Sequence, residues 1–431
     1  MMTEKNKKIL IVSHNVIDNT SGMGKTLGAY FKWFGSANIA QFYIHPDVPI
    51  DFSICQHYYR FTDIDAIKAR LPFINTGKEY SLKCDCHTYE KGSEKVPVES
   101  VYQYGRKRTG LIYLGREVIW KTAFWNSRDF RKWIRDFSPD LVFFASGDYA
   151  FMYDIAVTIA DIAKCPLIVS CMDDYYTNNI NADTSLGRLF HSYFMKVVNN
   201  TMQRSSRIFC MCDQMRDLYS EMFNRPAETL YTPAETNADL YTEDKRAKKI
   251  SYIGRLGVGR YKSLIDIGRT LHGLKIPGGP DHIDVYAYEK RHDVIEMLNN
   301  AEGIVFHGAV PANQVEEIMQ ESIMVIHAES FEDRFKGKVR YSISTKIAES
   351  LVNGPCILAY GPDEIASIDY LKKNGAAIVA TDEKQLVYAL SEGIQNDALR
   401  KRCIQNARAL GAENHSPEAI HKQLNSAFSI L

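Results

Sequence analysis

The stretch KKILIVSHNVIDNTSGMGKT, residues 7–26, passes from an apolar run into a glycine-containing loop. A continuous run such as ILIV is typical of a strand that is buried on both faces of a parallel sheet. Gly22 and Gly24 lie in the loop, and apolar residues at helical spacing follow over residues 25–33. Strand, loop and helix in this order predict the first unit of a doubly wound α/β domain.

Similar apolar runs recur along the chain in two series that are separated by a polar stretch, residues 237–249. The first series continues over residues 140–146, 165–171 and 206–212, and the second over residues 249–255, 281–288, 303–309, 323–329, 355–361 and 376–381. Helical patterns lie between the runs. The sequence therefore predicts two Rossmann-like domains, residues 1–236 and 237–415, and a last helix over 416–431 that can pack back on the first domain.

Composition narrows the classes of protein that remain. The chain has 431 residues, too many for one compact core, and its 52 basic residues balance 52 acidic ones, so net charge argues neither for nor against nucleic-acid binding. No nucleic-acid recognition module is apparent in the sequence, and we expect no nucleic-acid partner. The longest apolar region, from Leu141, is interrupted by Asp148, Asp154 and Asp161 and so cannot span a bilayer. No signal peptide is apparent, and nine cysteines, several of them in apolar runs, fit a reducing compartment. We expect a cytoplasmic protein.

Two cysteine pairs raise the question of a metal. Cys84 and Cys86, followed by His87, are separated by one residue, as are Cys210 and Cys212. Paired zinc ligands are usually two to four residues apart. We therefore predict no metal site.

The glycine loop of residues 13–26 is the first candidate binding site. Backbone N–H groups at a helix start can bind an anion, and Gly22 and Gly24 would let a ligand approach the backbone. The ending GMGKT is similar to a phosphate-binding loop of ATPases, but Asn19 stands where that motif needs its first glycine. The alternative interpretation is that the glycines only permit a tight turn.

The second candidate site follows the strand of residues 249–253. Arg255, Arg260 and Lys262 lie close to a predicted helix start. Guanidinium groups offer paired donors and lysine offers a compact charge, so the cluster suits a diphosphate. A solvated basic loop is the alternative.

The third candidate site is the helix that begins near residue 345. Ser344 and Thr345 provide hydroxyls and a cap, while Lys346 and Glu349 share one helix face. A carboxylate there could accept hydrogen bonds from both hydroxyls of a ribose. A surface Lys–Glu pair is the alternative.

Together these motifs make the second half resemble the retaining glycosyltransferases of family 4. The matching residues, in chain order, are Gly254-Arg255, Lys262 or Arg260, Gly308, Ser330 with Glu332, and Glu349 ahead of Gly354-Pro355. The resemblance implies the GT-B fold, with two Rossmann-like domains facing each other across a cleft. It also implies sugar transfer from a nucleotide sugar with retention of configuration.

The resemblance assigns roles as well. Arg255 and Lys262 would bind the diphosphate, Glu349 the ribose and Glu332 the donor sugar. The first glutamate of the family falls on Tyr341 here, and the basic segment DRFKGKVR separates Glu332 from the helix. Basic side chains can stabilise a diphosphate leaving group, so we expect neither a metal nor another cofactor.

The acceptor is expected on the first domain. His14, Asp148, Asp173 and Asp174 all follow predicted strands, where ligands of such sheets bind. A helix cap or a turn is the alternative for Asp173 and Asp174. A glycan or a lipid-linked sugar is the expected class of acceptor.

Residues 106–135 are rich in Lys and Arg, with aromatic residues interleaved among them: Trp120, Phe124, Trp125, Phe130 and Trp133. This pattern is typical of a segment that lies on an anionic membrane surface. The alternative is that the aromatic residues belong to the core.

Two other functions remain open at this point. A nucleotide-sugar epimerase can use the same architecture and bind the same class of donor. A non-catalytic binding subunit is the other alternative, and Tyr341 at the position of the family glutamate is its main support.

Overall fold

The computed structural model describes residues 7–18, 22–70, 76–82, 109–178, 184–236 and 249–431. The chain divides into two compact units, one of residues 1–230 with 421–431 and one of residues 231–420. Most of the predicted linker, residues 237–248, lies outside the described ranges.

The described part of the first unit is built on an eight-stranded sheet with the order β4-β3-β2-β1-β5-β6-β7-β8. All neighbouring strands are parallel except β3 and β4. The strands are β1 (Ile9–Ser13), β2 (Ile39–Tyr43), β3 (His57–Arg60), β4 (Lys78–Ser81), β5 (Leu141–Ser146), β6 (Leu167–Cys171), β7 (Arg207–Cys210) and β8 (Ala227–Thr229).

Seven helices within the described residues connect these strands. They are α1 (Gly22–Phe31), α2 (Asp63–Lys68), α3 (Gly110–Thr122), α4 (Arg128–Phe137), α5 (Ala150–Ala163), α6 (Ser185–Arg204) and α7 (Asp213–Phe223). Every residue of β1 is buried, as its continuous apolar run predicted. Helix α1 starts at Gly22, earlier than predicted, so Gly22 and Gly24 belong to its first turn rather than to a loop.

The second unit has a six-stranded sheet with the order β11-β10-β9-β12-β13-β14, in which all neighbouring strands are parallel. Its strands are β9 (Lys249–Ile253), β10 (Ile283–Tyr286), β11 (Ile304–Gly308), β12 (Ser322–Ala328), β13 (Cys356–Tyr360) and β14 (Ile378–Ala380). The predicted α/β class, with two doubly wound parallel sheets, is confirmed.

The helices of the second unit lie between its strands and after them. They are α8 (Arg260–Leu274), α9 (His292–Asn299), α10 (Ala312–Gln320), α11 (Asp333–Val339), α12 (Thr345–Asn353), α13 (Ala366–Lys373), α14 (Glu383–Gln395) and α15 (Asp397–Asn414). The basic segment DRFKGKVR, which separates Glu332 from the next predicted helix, forms α11.

The last helix, α16 (Pro417–Ser429), brings the end of the chain onto the first unit. Phe428 packs against Phe34 and Phe143, with ring centroids 5.5 and 6.4 Å apart. Gln423 donates a hydrogen bond of 2.7 Å to the carbonyl oxygen of Thr229. Residues 421–431 thus form part of the first unit's core.

A buried carboxyl group joins two helices of the first unit. Glu117 on α3 is 4% exposed, and its Oε1 accepts a 2.9 Å hydrogen bond from the Phe151 amide in the first turn of α5. Its Oε2 has no hydrogen-bond partner among the described residues. Burial raises the pKa of Glu117 to about 7, although the Phe151 amide and Lys121 oppose this shift.

This raised pKa predicts a pH-dependent stability for Glu117→Gln. Glu117 binds its proton more tightly in the folded state, so its contribution is full at pH 4 and is lost as the pH rises through about 7. Glutamine copies the protonated carboxyl group at every pH. We expect the variant to match the wild type at pH 4 and to gain up to about 3 kcal/mol of unfolding free energy at pH 8.

Chemical denaturation at the two pH values measures this difference. Glu221→Gln, an exposed substitution on α7, is the matched control and should show no pH-dependent gain. A Glu117→Gln variant that is less stable than the wild type at pH 8 would contradict the assignment.

Candidate functional site

The candidate site of the second unit lies where β9 and β12 end. These strands are neighbours and parallel, so the segments that follow them, residues 254–259 and 329–332, leave the sheet at the same edge. Ligands of such sheets bind at this edge.

Gly259 lies where the two segments approach each other most closely. It adopts a positive φ of 78° and is the N-cap of α8, and the residue before it, Val258, also has a positive φ, of 51°. A Cβ atom at Gly259 would lie 2.6 Å from Ser330 Oγ and 2.7 Å from the Phe335 ring. Only glycine fits this position. The amides of Arg260 and Lys262 in the first turn of α8 donate to the carbonyl oxygens of Gly257 and Gly259 at 3.4 and 3.1 Å. The positive end of the helix dipole lies at this point and favours an anion.

Arg260 and Glu329 form a buried ion pair across the two segments. Arg260 Nε lies 3.1 Å from Glu329 Oε2, and its terminal nitrogen lies 2.8 Å from Glu329 Oε1. Glu329 is 2% exposed; burial raises its pKa, and the guanidinium of Arg260 opposes that shift. The sequence assigned Arg260 to the nucleotide sugar, whereas in the structure its guanidinium binds Glu329.

Three neighbouring side chains surround the Arg260–Glu329 pair. Ser263 on α8 donates a 2.8 Å hydrogen bond to the Glu329 carbonyl oxygen. The ring of His327 lies 2.9 Å from Ser367 Oγ and 3.7 Å from Glu329 Oε1. Burial, assisted by Arg260, lowers the pKa of His327 to about 3, so this imidazole is neutral at pH 7. Sequence reasoning missed Glu329; its position at the end of the apolar run of β12 was the available signal.

Lys262 forms an ion pair that is exposed, unlike the buried pair of Arg260. It lies in the first turn of α8 and donates a 2.8 Å hydrogen bond to Glu332, which also receives hydrogen bonds of 3.2 Å from Arg334. The hydrogen bond from Lys262, together with Arg334, lowers the pKa of Glu332. Both partners of the Lys262–Glu332 pair are substantially exposed, and exposed pairs of this kind are weak.

Arg255 follows β9 directly and is exposed. Its carbonyl oxygen accepts a 2.7 Å hydrogen bond from Tyr252, which fixes the backbone at this point. Its guanidinium has no hydrogen bond or ion pair with any of the described residues. Of the three predicted cations, Arg255 is therefore the one that a ligand can bind without displacing a protein group.

The third predicted group lies on α12, the helix before β13. Ser344 is its N-cap and accepts a 3.3 Å hydrogen bond from the Lys346 amide. Thr345 and Lys346 are exposed in the first turn, and Glu349 is half-buried one turn later. Because α12 precedes β13, which pairs with β12, the start of α12 lies at the same sheet edge as the segments after β9 and β12.

Tyr341, at the position of the family glutamate, is a buried aromatic residue beside the Arg340 guanidinium, which lies 5.2 Å from its ring centroid. It provides no carboxylate. Gly308 ends β11, which is separated from β9 by β10.

In the first unit, His14 lies at the end of β1, beside His45 and Tyr149 at 5.6 and 5.7 Å between ring centroids. Burial, Arg116 and His45 lower the pKa of His14 to about 4. Asp148 accepts a 2.6 Å hydrogen bond from the Tyr113 hydroxyl. The carboxyl edge of β1 and β5 thus presents a neutral imidazole close to a carboxylate.

Arg116 lies close to His14 and Tyr149, although the sequence predicted it within a membrane-binding segment. Its guanidinium lies 3.9 Å from the Tyr149 ring centroid and pairs with Asp63 at 3.0 Å. Trp120 Nε1 donates a 2.7 Å hydrogen bond to the same Asp63 oxygen. Arg116 is therefore an internal cation of the first unit.

A buried glutamine supports the loop of His14. Gln41 Nε2 donates to Ser13 Oγ and to the Asn15 carbonyl oxygen at 2.7 and 2.9 Å, and its Oε1 accepts from the Ile17 amide. A Cβ atom at Gly24 would come within 2.4 Å of the Val16 carbonyl oxygen, so Gly24 is needed for close packing of α1 on this loop.

Asp174 stabilises a turn, which was the alternative interpretation of this residue. It is 5% exposed and accepts hydrogen bonds from the Thr177 amide at 3.0 Å, from the Thr177 hydroxyl and from the Tyr219 hydroxyl at 2.7 Å. Asp173 accepts a 2.9 Å hydrogen bond from the Asp174 amide and is half-buried. The carboxylate of Asp174 thus holds the segment after β6 in place.

The aromatic residues of the basic segment are mostly internal. Trp120, Phe130 and Trp133 are buried, as the core interpretation expected, whereas Phe124 is 67% exposed. Residues 106–108 lie outside the described ranges, as do Cys84, Cys86 and His87. Across the described ranges, no group of three or more His, Cys, Asp or Glu side chains is arranged to hold a metal ion. None of the helices in those ranges combines the length and the apolar composition needed to cross a bilayer.

No protein-family model and no curated protein matches the chain. Solved structures do match it. HepE from Anabaena, in complex with UDP, shares 12% identity at a TM-score of 0.63, covering 98% of this chain and 100% of HepE; it is also solved with UDP-glucose.

Two synthases are similar as well. The UDP-forming α,α-trehalose-phosphate synthase from Burkholderia vietnamiensis has 12% identity and a TM-score of 0.60, over 99% of this chain and 100% of the synthase. Sucrose-phosphate synthase from Thermosynechococcus elongatus has 12% identity and a TM-score of 0.58, over 98% of both chains. At this identity the similarity concerns the fold, and the chain has the fold of the GT-B glycosyltransferases.

The buried pair predicts that Arg260→Ala destabilises the protein in a pH-dependent way. Removing the guanidinium leaves Glu329 as an unpaired buried carboxylate, which costs about 3 kcal/mol of unfolding free energy at pH 8. Since burial raises the pKa of Glu329, the protonated form is favoured in the folded state, and the loss shrinks as the pH falls toward 5.

Thermal unfolding of the full chain measures the effect. Lys262→Ala, which breaks the exposed pair, should change the melting temperature little. Adding Glu329→Gln to Arg260→Ala should restore part of the stability at pH 8. An Arg260→Ala variant whose loss is the same at pH 5 and pH 8 would show that Glu329 is not the cause.

Proposed function

We propose that the chain is a glycosyltransferase that moves a sugar from a nucleoside-diphosphate sugar to an acceptor hydroxyl, with retention of configuration and without a metal. The observation that carries the proposal is the common sheet edge of the second unit. At this edge lie Arg255, which forms no ion pair within the described part of the chain, the weakly paired Lys262 and the start of α8.

The diphosphate is assigned to Arg255, Lys262 and the positive end of the α8 dipole. Arg255 is exposed and makes no ion pair with the described residues. Lys262 needs only to leave an exposed pair with Glu332, which costs little. Arg260 keeps its bond to Glu329 and positions the helix start. A guanidinium, an ammonium and a helix start are the groups that proteins use to bind phosphates.

The ribose is assigned to Glu349. It is half-buried on α12, where Ser344, Thr345 and Lys346 form the helix start at the same edge. A carboxylate accepts hydrogen bonds from two neighbouring hydroxyls. The fold similarity to HepE, solved with UDP and with UDP-glucose, is consistent with a nucleotide sugar as donor.

The chemistry of the step follows from these charges. As the bond between the anomeric carbon and the diphosphate breaks, negative charge builds up on the leaving group, and the fixed cations stabilise it. Glu332 is released from Lys262 when the diphosphate binds, and we assign it to the donor sugar. The metal-free mechanism rests on Arg255 and Lys262 supplying this charge.

The acceptor is assigned to the carboxyl edge of β1 and β5 in the first unit. His14 is neutral at pH 7 because its pKa is lowered to about 4, so it can accept or donate a hydrogen bond there. Asp148 provides a carboxylate on the neighbouring strand end. Glycans and lipid-linked sugars, whose hydroxyls suit such groups, are the proposed acceptors of a cytoplasmic enzyme.

Nucleotide binding by Arg255→Ala and Glu349→Ala tests the donor site. Calorimetry with UDP should show each variant binding about tenfold or more weakly, because each loses a charged hydrogen-bonding group. Lys384→Ala, an exposed lysine on α14, is the matched control and should bind as the wild type does. Unchanged affinity in both site variants would contradict the donor site.

A labelled nucleotide sugar supplied without acceptor separates the proposed transferase from an epimerase. The transferase leaves the donor's configuration unchanged, whereas an epimerase converts it. If no nucleotide or nucleotide sugar in a panel bound at all, the chain would instead be a binding subunit. The activities of the two synthases that share this fold favour transfer.

A further inference from the structure

Two helices of the first unit expose large apolar side chains to solvent. On α3, Leu111 and Val118 are 68% and 59% exposed, and on α6, Leu186 and Leu189 are 45% and 59% exposed. Single exposed apolar residues are ordinary, but a group of them on adjacent elements is typical of an interaction site.

The two helices lie side by side, so these residues form one surface. A Cβ atom at Gly110 would be 2.5 Å from the Gly187 amide nitrogen, which puts the two helix starts in contact. One turn later the rings of Tyr113 and Phe190 stack, with centroids 4.7 Å apart. The helices therefore run parallel and in register. We call the surface formed by Leu111, Val118, Leu186 and Leu189 the α3/α6 face.

Spacing confirms that each pair points the same way. Leu111 and Val118 are seven residues apart, or two helical turns, and Leu186 and Leu189 are three apart. The opposite sides of the helices are occupied by the buried side chains of Trp120 and Val198. The α3/α6 face is thus the outer surface of this helix pair.

Within α3 and α6 themselves, the exposed charged side chains are all cations. Lys121 on α3 and Arg188 and Lys196 on α6 are exposed. Helix α6 contains no Asp or Glu, and the acidic residue of α3, Glu117, is buried. The neighbouring acid is Asp154 on α5, which is half-buried near Lys121.

Apolar side chains surrounded by exposed cations are the combination that binds an anionic lipid surface. We propose that the first unit docks on an anionic membrane through the α3/α6 face, with the leucines at the level of the acyl chains and the cations at the headgroups. This differs from the surface that the sequence predicted, since the buried Trp120, Phe130 and Trp133 cannot reach a membrane. The proposal does not depend on the donor site.

Co-sedimentation of the full chain with lipid vesicles tests the proposal. Vesicles of phosphatidylcholine with about a third phosphatidylglycerol should bind the protein, and pure phosphatidylcholine should bind it about tenfold or more weakly, because each exposed cation is attracted to the anionic lipid. Added salt should weaken binding to the anionic vesicles.

Two variants remove the proposed contacts. Leu111→Ser with Leu186→Ser and Leu189→Ser removes the apolar part, and Arg188→Glu with Lys196→Glu reverses the charge. Each should lower binding to anionic vesicles about tenfold or more. All five positions are exposed, so circular dichroism and melting temperature should stay at the wild-type values.

Matched controls change similar residues elsewhere. Val387→Ser with Tyr388→Ser alters exposed apolar side chains on α14, and Arg131→Glu with Arg135→Glu reverses exposed cations on α4 within the predicted basic segment. Both should bind vesicles as the wild type does.

Four results would overturn the proposal. The wild-type chain could fail to bind anionic vesicles, or the leucine variant could bind them unchanged. The α4 charge variant could lose as much binding as the α6 variant, which would move the contact to the basic segment. A leucine variant that dissociates a dimer of this chain without altering vesicle binding would assign the face to a second copy and also reject a membrane.

Discussion

The contact between the segments that follow β9 and β12 is the constraint on which the candidate site depends. Arg260 binds both oxygens of Glu329, and Gly259 lies so close to Ser330 that no other residue fits. A buried ion pair contributes little net stability because both charges lose their hydration. Its effect here is geometric: it fixes the start of α8 relative to the end of β12, and thereby the positions of Arg255 and Lys262.

The three cations of this edge differ in how strongly the protein already holds them. Arg260 forms a buried ion pair with two hydrogen bonds, Lys262 forms an exposed pair, and the guanidinium of Arg255 forms no hydrogen bond or ion pair with the described residues. In the proposed site, a diphosphate would bind Arg255 without displacing a described protein group, would replace Glu332 as the partner of Lys262, and would leave Arg260 paired with Glu329. The three cations thus differ in how they are paired within the protein, and we propose a separate role for each. The sequence shows only three basic residues close together.

Local patterns were enough to predict the architecture. The buried run of β1, the second series of strands and the helix before β13 were all visible in the order of apolar residues, because burial on both faces leaves a continuous signal. The placement of Arg255, Lys262 and the start of α12 at one sheet edge followed from the rule that parallel strands end at one edge. What could not be predicted were contacts between distant residues: the Arg260–Glu329 pair spans 69 positions, and Asp63 binds Arg116 across 53. Burial of Trp120 and Phe130 likewise depends on tertiary packing that the charges around them conceal.

Amide hydrogen exchange of the full chain with and without UDP tests the central claim most directly, since it locates a bound diphosphate by peptide. Binding at the proposed site should slow exchange in residues 254–263, at the start of α8, and in residues 342–350, at the start of α12. Peptides of β5 and β6 in the first unit should exchange at the same rate in both samples. Protection confined to the first unit, or to the second unit outside these two segments, with UDP bound, would contradict the account.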